Sequence, residues 1–119
     1  MRTIKNEKEI LTMLDKLLGK QKIYKNQKLS LINLSKELNT NTSYLSTIIN
    51  THYHCNFKTL INQLRIDEAC IIMMKNKHQS LSIKGIAEEV GFKSRSRFYL
   101  AFKKYTGLSP LQYISNRSK

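Results

Sequence analysis

The sequence predicts an all-α protein in which two helix-turn-helix subdomains are joined by a long linker helix, about seven helices in all. Three observations lead there. Only 4 Gly and 1 Pro occur in 119 residues, so the residues that β-turns favour are scarce. Apolar side chains recur at intervals of three and four along most of the chain. One stretch of that pattern also occurs twice. Leu34, Leu38, Leu45, Ile49 and Phe57 correspond to Ile86, Val90, Phe98, Phe102 and Pro110, at an offset of 52 residues in the first helix of each unit and 53 in the second. One extra residue therefore sits in the second turn. Two copies are too few for a solenoid.

Residues 7–18 read as an amphipathic helix with Ile10, Met13, Leu14, Leu17 and Leu18 on one face and Gly19 as its stop. GKQKIYKNQK follows as a polar, basic loop anchored by Ile23 and Tyr24. Ser30 is placed as the N-cap of a short helix with Leu31, Leu34 and Leu38 inward. After the turn-like Asn39-Thr40-Asn41, Asn41 caps a second helix with Leu45, Ile48 and Ile49 inward. Neither is long enough to persist alone, so each must pack on its neighbours. Asn56 caps a longer helix from Phe57 to about Asn76. Its apolar stripe shifts phase halfway, from Phe57, Leu60, Ile61 and Leu64 to Ile66, Ala69, Cys70 and Met73. A helix serving one core keeps one stripe, so this one is expected to dock its halves into two cores over roughly 30 Å.

Residues 76–80 break the pattern. Ser82 opens a helix with Ile83, Ile86, Ala87 and Val90 inward, and Gly91 ends it where φ > 0 is commonly needed. Ser94 caps the next, with Phe98, Ala101, Phe102 and Tyr105 at i, i+3, i+4 and i+7, and Gly107 terminates it. Ser109-Pro110 is an N-cap followed by proline at the first helical position, where the missing N–H costs nothing. The expected divisions are 1–28 (N-terminal helix and basic loop), 29–56 (first helix-turn-helix), 57–77 (linker helix) and 78–119 (second helix-turn-helix and C-terminal helix).

The formal net charge is +13, from 21 Lys plus Arg against 8 Asp plus Glu. Residues 1–60 carry 10 basic and 4 acidic side chains and residues 61–119 carry 11 and 4, so the excess belongs to the folded body and not to a tail. Such a body attracts polyanions. Cys55 and Cys70 make no disulfide framework. The N-terminus shows no signal-peptide pattern, and the longest apolar run, Ala69–Met74, is far too short to span a bilayer. A reducing cytoplasm and no membrane contact are expected.

A short helix, a tight turn and a second helix with a polar face suit the major groove for a physical reason. The first helix braces the second, whose outward side chains must be polar and short enough to meet base edges. Two copies in a +13 chain, bridged by a helix about one DNA turn long, make the signal much stronger than one helix pair. The stretch IAEEVGFKSRSRFYLAFKKYTGLSPLQYI closely resembles the second helix-turn-helix of AraC/XylS-type bacterial transcription regulators. The residues that carry this are Ile86, Ala87, Val90, Gly91, Phe92, Phe98, Phe102, Lys103, Lys104, Gly107, Ser109, Pro110 and Tyr113. YLSTIIN and NFKTLINQLRIDEA resemble that family's first unit and the start of its linker helix, with Arg65 and Ala69 at the usual places. The resemblance covers roughly residues 29–114 and implies a seven-helix, two-lobed DNA-binding domain with two recognition helices in successive major grooves. Ser35 stands where a small apolar Ala is usual, His54 where a Gly is common, and Ile114-Ser115 where an Arg is common. The family's partners imply double-stranded DNA and RNA polymerase. No sensor region fits in 119 residues, which reads as an excised DNA-binding domain or a small, constitutively competent regulator.

With Leu45, Ile48 and Ile49 inward, Ser43, Ser46, Thr47 and Asn50 point out of the first recognition helix. With Phe98, Ala101 and Phe102 inward, Arg95, Ser96, Tyr99, Leu100 and Lys103 point out of the second. Arg95 is the strongest candidate for base readout, bidentate on guanine or alternatively clamping a phosphate. Asn50 reads adenine or solvates a helix end. Ser43, Ser46, Thr47 and Ser96 are adaptable readers that serve phosphate or water equally well. Tyr99 stacks on sugar, bonds phosphate or packs on the surface, and Leu100 suits a thymine methyl or plain packing. Lys93, Arg97 and Lys104 are read as phosphate neighbours, with Asn41, Ser82 and Ser94 at helix N-termini.

The alternative is a basic helical module that binds RNA or an acidic protein without sequence preference. No enzyme is expected, since no nucleophile–base arrangement, paired carboxylates or Gly-rich phosphate loop is visible. Glu88 and Glu89 read as a solvated face. His52, His54, Cys55 and Cys70 match no zinc spacing, so neither a metal nor a cofactor is expected.

Overall fold

The structure is a computed structural model and describes residues 6–75 and 81–117. Among them are seven α-helices: α1 (Glu7–Asp15), α2 (Leu31–Glu37), α3 (Thr42–Tyr53), α4 (Phe57–Lys75), α5 (Ile83–Glu89), α6 (Arg95–Thr106) and α7 (Pro110–Arg117). No strand occurs among the described residues. The expected end of the linker helix at 76–77 and the break at 76–80 lie outside them. None of the described helices is long and apolar enough to cross a membrane.

The chain separates into two compact units, one holding Lys28–Leu60 with the segment up to Tyr24, the other holding Lys25–Gln27 with the chain from Ile61 onward. The dividing point falls inside α4, after its first turn. The sequence reads a phase shift in the apolar stripe of that same helix.

In the first unit the expected helix 7–18 has a different end. Asn6 caps α1 by accepting the Glu9 N–H (2.9 Å), and the helix then widens into a π-helical turn over Lys16–Lys20. Gly19 lies within that turn and stops nothing; the left-handed residue is Lys22, at φ 51°. The wider turn keeps Leu17 and Leu18 buried along with Ile10 and Leu14. Tyr24 is buried on a single 3-10 turn, Ile23–Lys25, and anchors the loop. α2 packs on α3. Leu34, Leu38, Leu45, Ile48, Ile49 and Leu60 are buried, as the periodicity requires. Ser35, at the usual alanine position, is buried too, and its hydroxyl donates to the Ile32 carbonyl at 2.7 Å, so the extra oxygen is satisfied inside its own helix.

The second unit is built on rings. Ile66, Ala69, Ile86, Ala87, Val90, Phe92, Phe98, Ala101 and Phe102 form one core. Phe98 meets Phe92 at 5.4 Å and Phe102 at 5.5 Å, and Phe102 meets Tyr113 edge-on at 5.3 Å. Ser109 and Gln112 cap α7 reciprocally, with Pro110 buried at its first position.

Candidate nucleic-acid interface

Each candidate reading helix is aimed by the turn before it, and the two turns use the same hydrogen bonds. In the first unit the Ser30 hydroxyl accepts the Asn33 N–H (3.1 Å) while the Asn33 amide oxygen accepts the Ser30 N–H (2.8 Å), which starts α2 with a capping box. The helix ends where Asn39 turns left-handed at φ 56°. There the Asn39 N–H donates to the Lys36 carbonyl (3.2 Å) and the Thr40 N–H to the Ser35 carbonyl (2.9 Å). Asn41 then caps α3 by accepting the Tyr44 N–H at 2.8 Å.

The second unit repeats the turn bond for bond, though Gly85, in the place of Asn33, returns no capping-box bond to Ser82. Ser82 caps α5 by accepting the Gly85 N–H (3.0 Å), and Gly91 turns at φ 106°. The Gly91 N–H donates to the Glu88 carbonyl (3.1 Å) and the Phe92 N–H to the Ala87 carbonyl (3.0 Å), the same pair of bonds 52 residues on. Ser94 caps α6 by accepting the Arg97 N–H at 3.1 Å, 53 residues after Asn41. The extra residue of the second turn therefore lies after Phe92, and exposed Lys93 is the one added. The ends of the two helices also correspond, with His54 left-handed at φ 59° and Gly107 at φ 81°.

On α3 the structure exposes Ser43, Thr47 and Asn50, and half-buries Ser46. The Thr47 hydroxyl donates to the Ser43 carbonyl (3.1 Å), and the Asn50 amide reaches the Ser46 hydroxyl at 3.5 Å. These four share one face by helical spacing. On α6, Arg95, Ser96, Arg97, Lys103 and Lys104 are exposed, and Leu100 is the most exposed of the large apolar residues described, at 75%. Tyr99 is half-buried against the second core, 6.2 Å from the Phe98 ring, so packing takes part of its surface. Asn41, Ser82 and Ser94 are exposed but commit their side-chain oxygens to capping. What they leave toward solvent is the first turn of each helix, with its positive end and remaining N–H groups.

The sequence reading missed a set of contacts that ties the basic loop to the second unit. The Arg65 guanidinium donates to the Asn26 carbonyl at 3.1 Å and lies 5.7 Å from the centre of the Phe92 ring. Burial lowers its pKa below the ordinary arginine value. Lys25 reaches Glu68 at 3.4 Å and Glu89 at 3.8 Å. Glu68, only 7% exposed, is a buried carboxylate that belongs to neither apolar stripe of its helix. Glu89 is therefore an ion-pair partner and not merely part of a solvated face. These contacts join residues from 27 (Arg65 to Phe92) to 64 (Lys25 to Glu89) positions apart, a range over which periodicity carries no signal.

The model of the helix-turn-helix domain family matches residues 34–116. The raffinose operon transcriptional regulatory protein RafR of Pediococcus pentosaceus is 33% identical over 84 residues, 71% of this chain and 29% of that protein. The melibiose operon regulatory protein of Escherichia coli is 32% identical over 87 residues, 73% of this chain and 28% of that protein. The chain thus spans less than a third of the length of these curated relatives. Among solved structures, the C-terminal domain of AraT, a response regulator from Geobacillus stearothermophilus, is similar with a TM-score of 0.79 and 30% identity, over 90% of this chain and 84% of that one.

Proposed function

The chain belongs to the AraC family of bacterial transcription regulators, as a DNA-binding domain and not an enzyme, and from that premise we propose how it reads its target. Helices α3 and α6 enter successive major grooves of double-stranded DNA and contact two short sub-sites about 10 bp apart. The observation that supports this is the bond-for-bond repeat of the turn: each unit presents an N-capped 12-residue helix with a polar outward face. Ser43, Ser46, Thr47 and Asn50 read bases from α3, and Arg95, Ser96, Tyr99 and Lys103 from α6. Lys93, Arg97, Lys104 and the capped helix starts at Asn41, Ser82 and Ser94 hold phosphates. In a regulator of its relatives' length, a further region supplies the signal and RNA polymerase is the second partner.

Arg95, exposed at the first position of α6, gives the sharpest test. Duplexes selected from a random pool by the protein define the site. Arg95→Ala is expected to cost about 1–3 kcal/mol at one base pair and to relax preference there alone. Titration of single-substituted duplexes by fluorescence anisotropy measures this. An equal loss on every sequence assigns Arg95 to the backbone, and a pool that yields no preferred sequence supports the non-specific polyanion binder instead.

A further inference from the structure

Leu100 is the side chain that this reading leaves unexplained. Its neighbours one turn away on α6 are Ser96 and Arg97 on one side and Lys103 and Lys104 on the other, all exposed. An isobutyl group at 75% exposure, with polar and cationic side chains one turn away on either side, has no apolar neighbour at those positions of its own helix to pack against. Its counterpart on α3, 53 residues earlier, is Thr47. The Thr47 hydroxyl is turned back onto the Ser43 carbonyl at 3.1 Å, which leaves the γ-methyl as the remaining part of an exposed side chain. Position for position, then, both helices offer a methyl group in the middle of a polar face.

Resting on the DNA reading above, we infer that Leu100 and Thr47 are equivalent thymine readers, each meeting the C5-methyl of one thymine in its own sub-site. The chemistry is specific. In the major groove the thymine methyl is the one apolar group that the four bases present, and aliphatic side chains recognise it by contact and not by hydrogen bonding. Between flanking donors, such a contact fixes an A·T pair that Arg95 or Lys103, reading guanine, would not select.

The test separates the methyl from everything else. In duplexes selected from a random pool by the wild-type protein, each thymine is replaced singly by deoxyuridine, which deletes the methyl and leaves every hydrogen-bonding group in place. One position in each sub-site is expected to lose roughly threefold to fivefold in affinity, about the worth of one buried carbon. Leu100→Ala should abolish the step in one sub-site and leave the other; Thr47→Ser should do the reverse. Neither change threatens the fold, because Leu100 is exposed, alanine favours helix, and serine keeps the hydroxyl. Affinity indifferent to uracil throughout, or a step that persists in the matching variant, overturns the assignment while sequence-specific binding stands. A pool with no preferred sequence overturns both.

Discussion

The two helix-turn-helix units share one backbone plan and differ in almost every side chain that fills it. Where the second unit uses Phe92, Phe98, Phe102 and Tyr113, the first has Thr40, Leu45, Ile49 and Leu60 at the equivalent positions. Where the second uses Gly91 and Gly107 at positive φ, the first uses Asn39 and His54. Thr40, in the place of the buried Phe92, has a buried hydroxyl without a hydrogen-bond partner. The first unit instead buries Ile10, Leu14, Leu17 and Leu18 from an N-terminal helix and its π turn, which have no equivalent in the second. The outward faces differ as much. α3 contains no Asp, Glu, Lys or Arg, whereas α6 carries Arg95, Arg97, Lys103 and Lys104. A fold of this kind can therefore hold its turn geometry constant while concentrating charge on one of the two matching helices and uncharged donors and acceptors on the other.

The charge contrast makes the largest prediction. Counterion release ties the salt dependence of binding to the number of phosphates neutralised. If Lys93, Arg97 and Lys104 each hold one, replacing all three by alanine should flatten the slope of log K against log salt by roughly 2–3 and weaken every sequence alike. Asn50→Ala on α3 should weaken binding at one base position and leave the slope unchanged. Anisotropy titrations at several salt concentrations measure both. A slope that responds to Asn50 as strongly as to the cations would abolish the division between the two helices.

The next contrast lies in the left-handed residues that close the two reading helices. A Cβ at Gly107 would meet nothing within 4 Å, so Gly107→Ala charges the protein for backbone strain alone, at φ 81°. About 1–1.5 kcal/mol of stability should be lost. His54→Gly, at φ 59°, should go the other way and gain about 0.5–1 kcal/mol, the strain relieved less the entropy that glycine adds to the unfolded chain. Urea unfolding of the two variants measures the pair. Losses in both would mean that the His54 side chain contributes more than its backbone costs.

The same contrast explains what could be read from the sequence. Caps at Ser30, Asn41, Asn56, Ser82, Ser94 and Ser109 were legible because each is a bond across three residues, between residue types that favour it. The buried positions followed from helical period. The second unit was the clearer because glycines mark its ends and rings mark its core. The first was recognised by its spacing relative to the second, since Asn39 and His54 give no strong signal of a positive φ. Three features had no local signal: the π turn that carries the first helix past Gly19, the burial of Glu68, and the hold of Arg65 and Lys25 between the loop and the second unit. The last two are decided by groups that meet them from far along the chain. The outward faces of α3 and α6 were legible as faces, but base and phosphate contacts are decided by the duplex they meet, and the chain alone does not distinguish them.

The smallest effect concerns how the two reading helices are fastened at their last residue. Thr106 closes α6 within its own turn, its hydroxyl accepting the Leu108 N–H (3.1 Å) and lying 2.8 Å from the Phe102 carbonyl. Its equivalent, Tyr53, closes α3 against another helix, donating to the Asp15 carboxylate at 3.1 Å. Burial first, then the neighbouring Asp15 charge and this hydrogen bond, push the Tyr53 phenol up from 10.0 to about 12. A raised folded-state value favours the neutral phenol, so this tie is fully present below pH 10 and is lost as pH rises through about 12. Partial exposure holds the effect below about 1 kcal/mol. Ultraviolet titration should show a late-ionising tyrosine component, and Tyr53→Phe should reduce it by one phenol. The same variant should narrow the stability difference between pH 8 and pH 11, measured against wild type to cancel the lysines. A late component undiminished by Tyr53→Phe would place the tie elsewhere, and α3 would then be fastened, like α6, by its own turn.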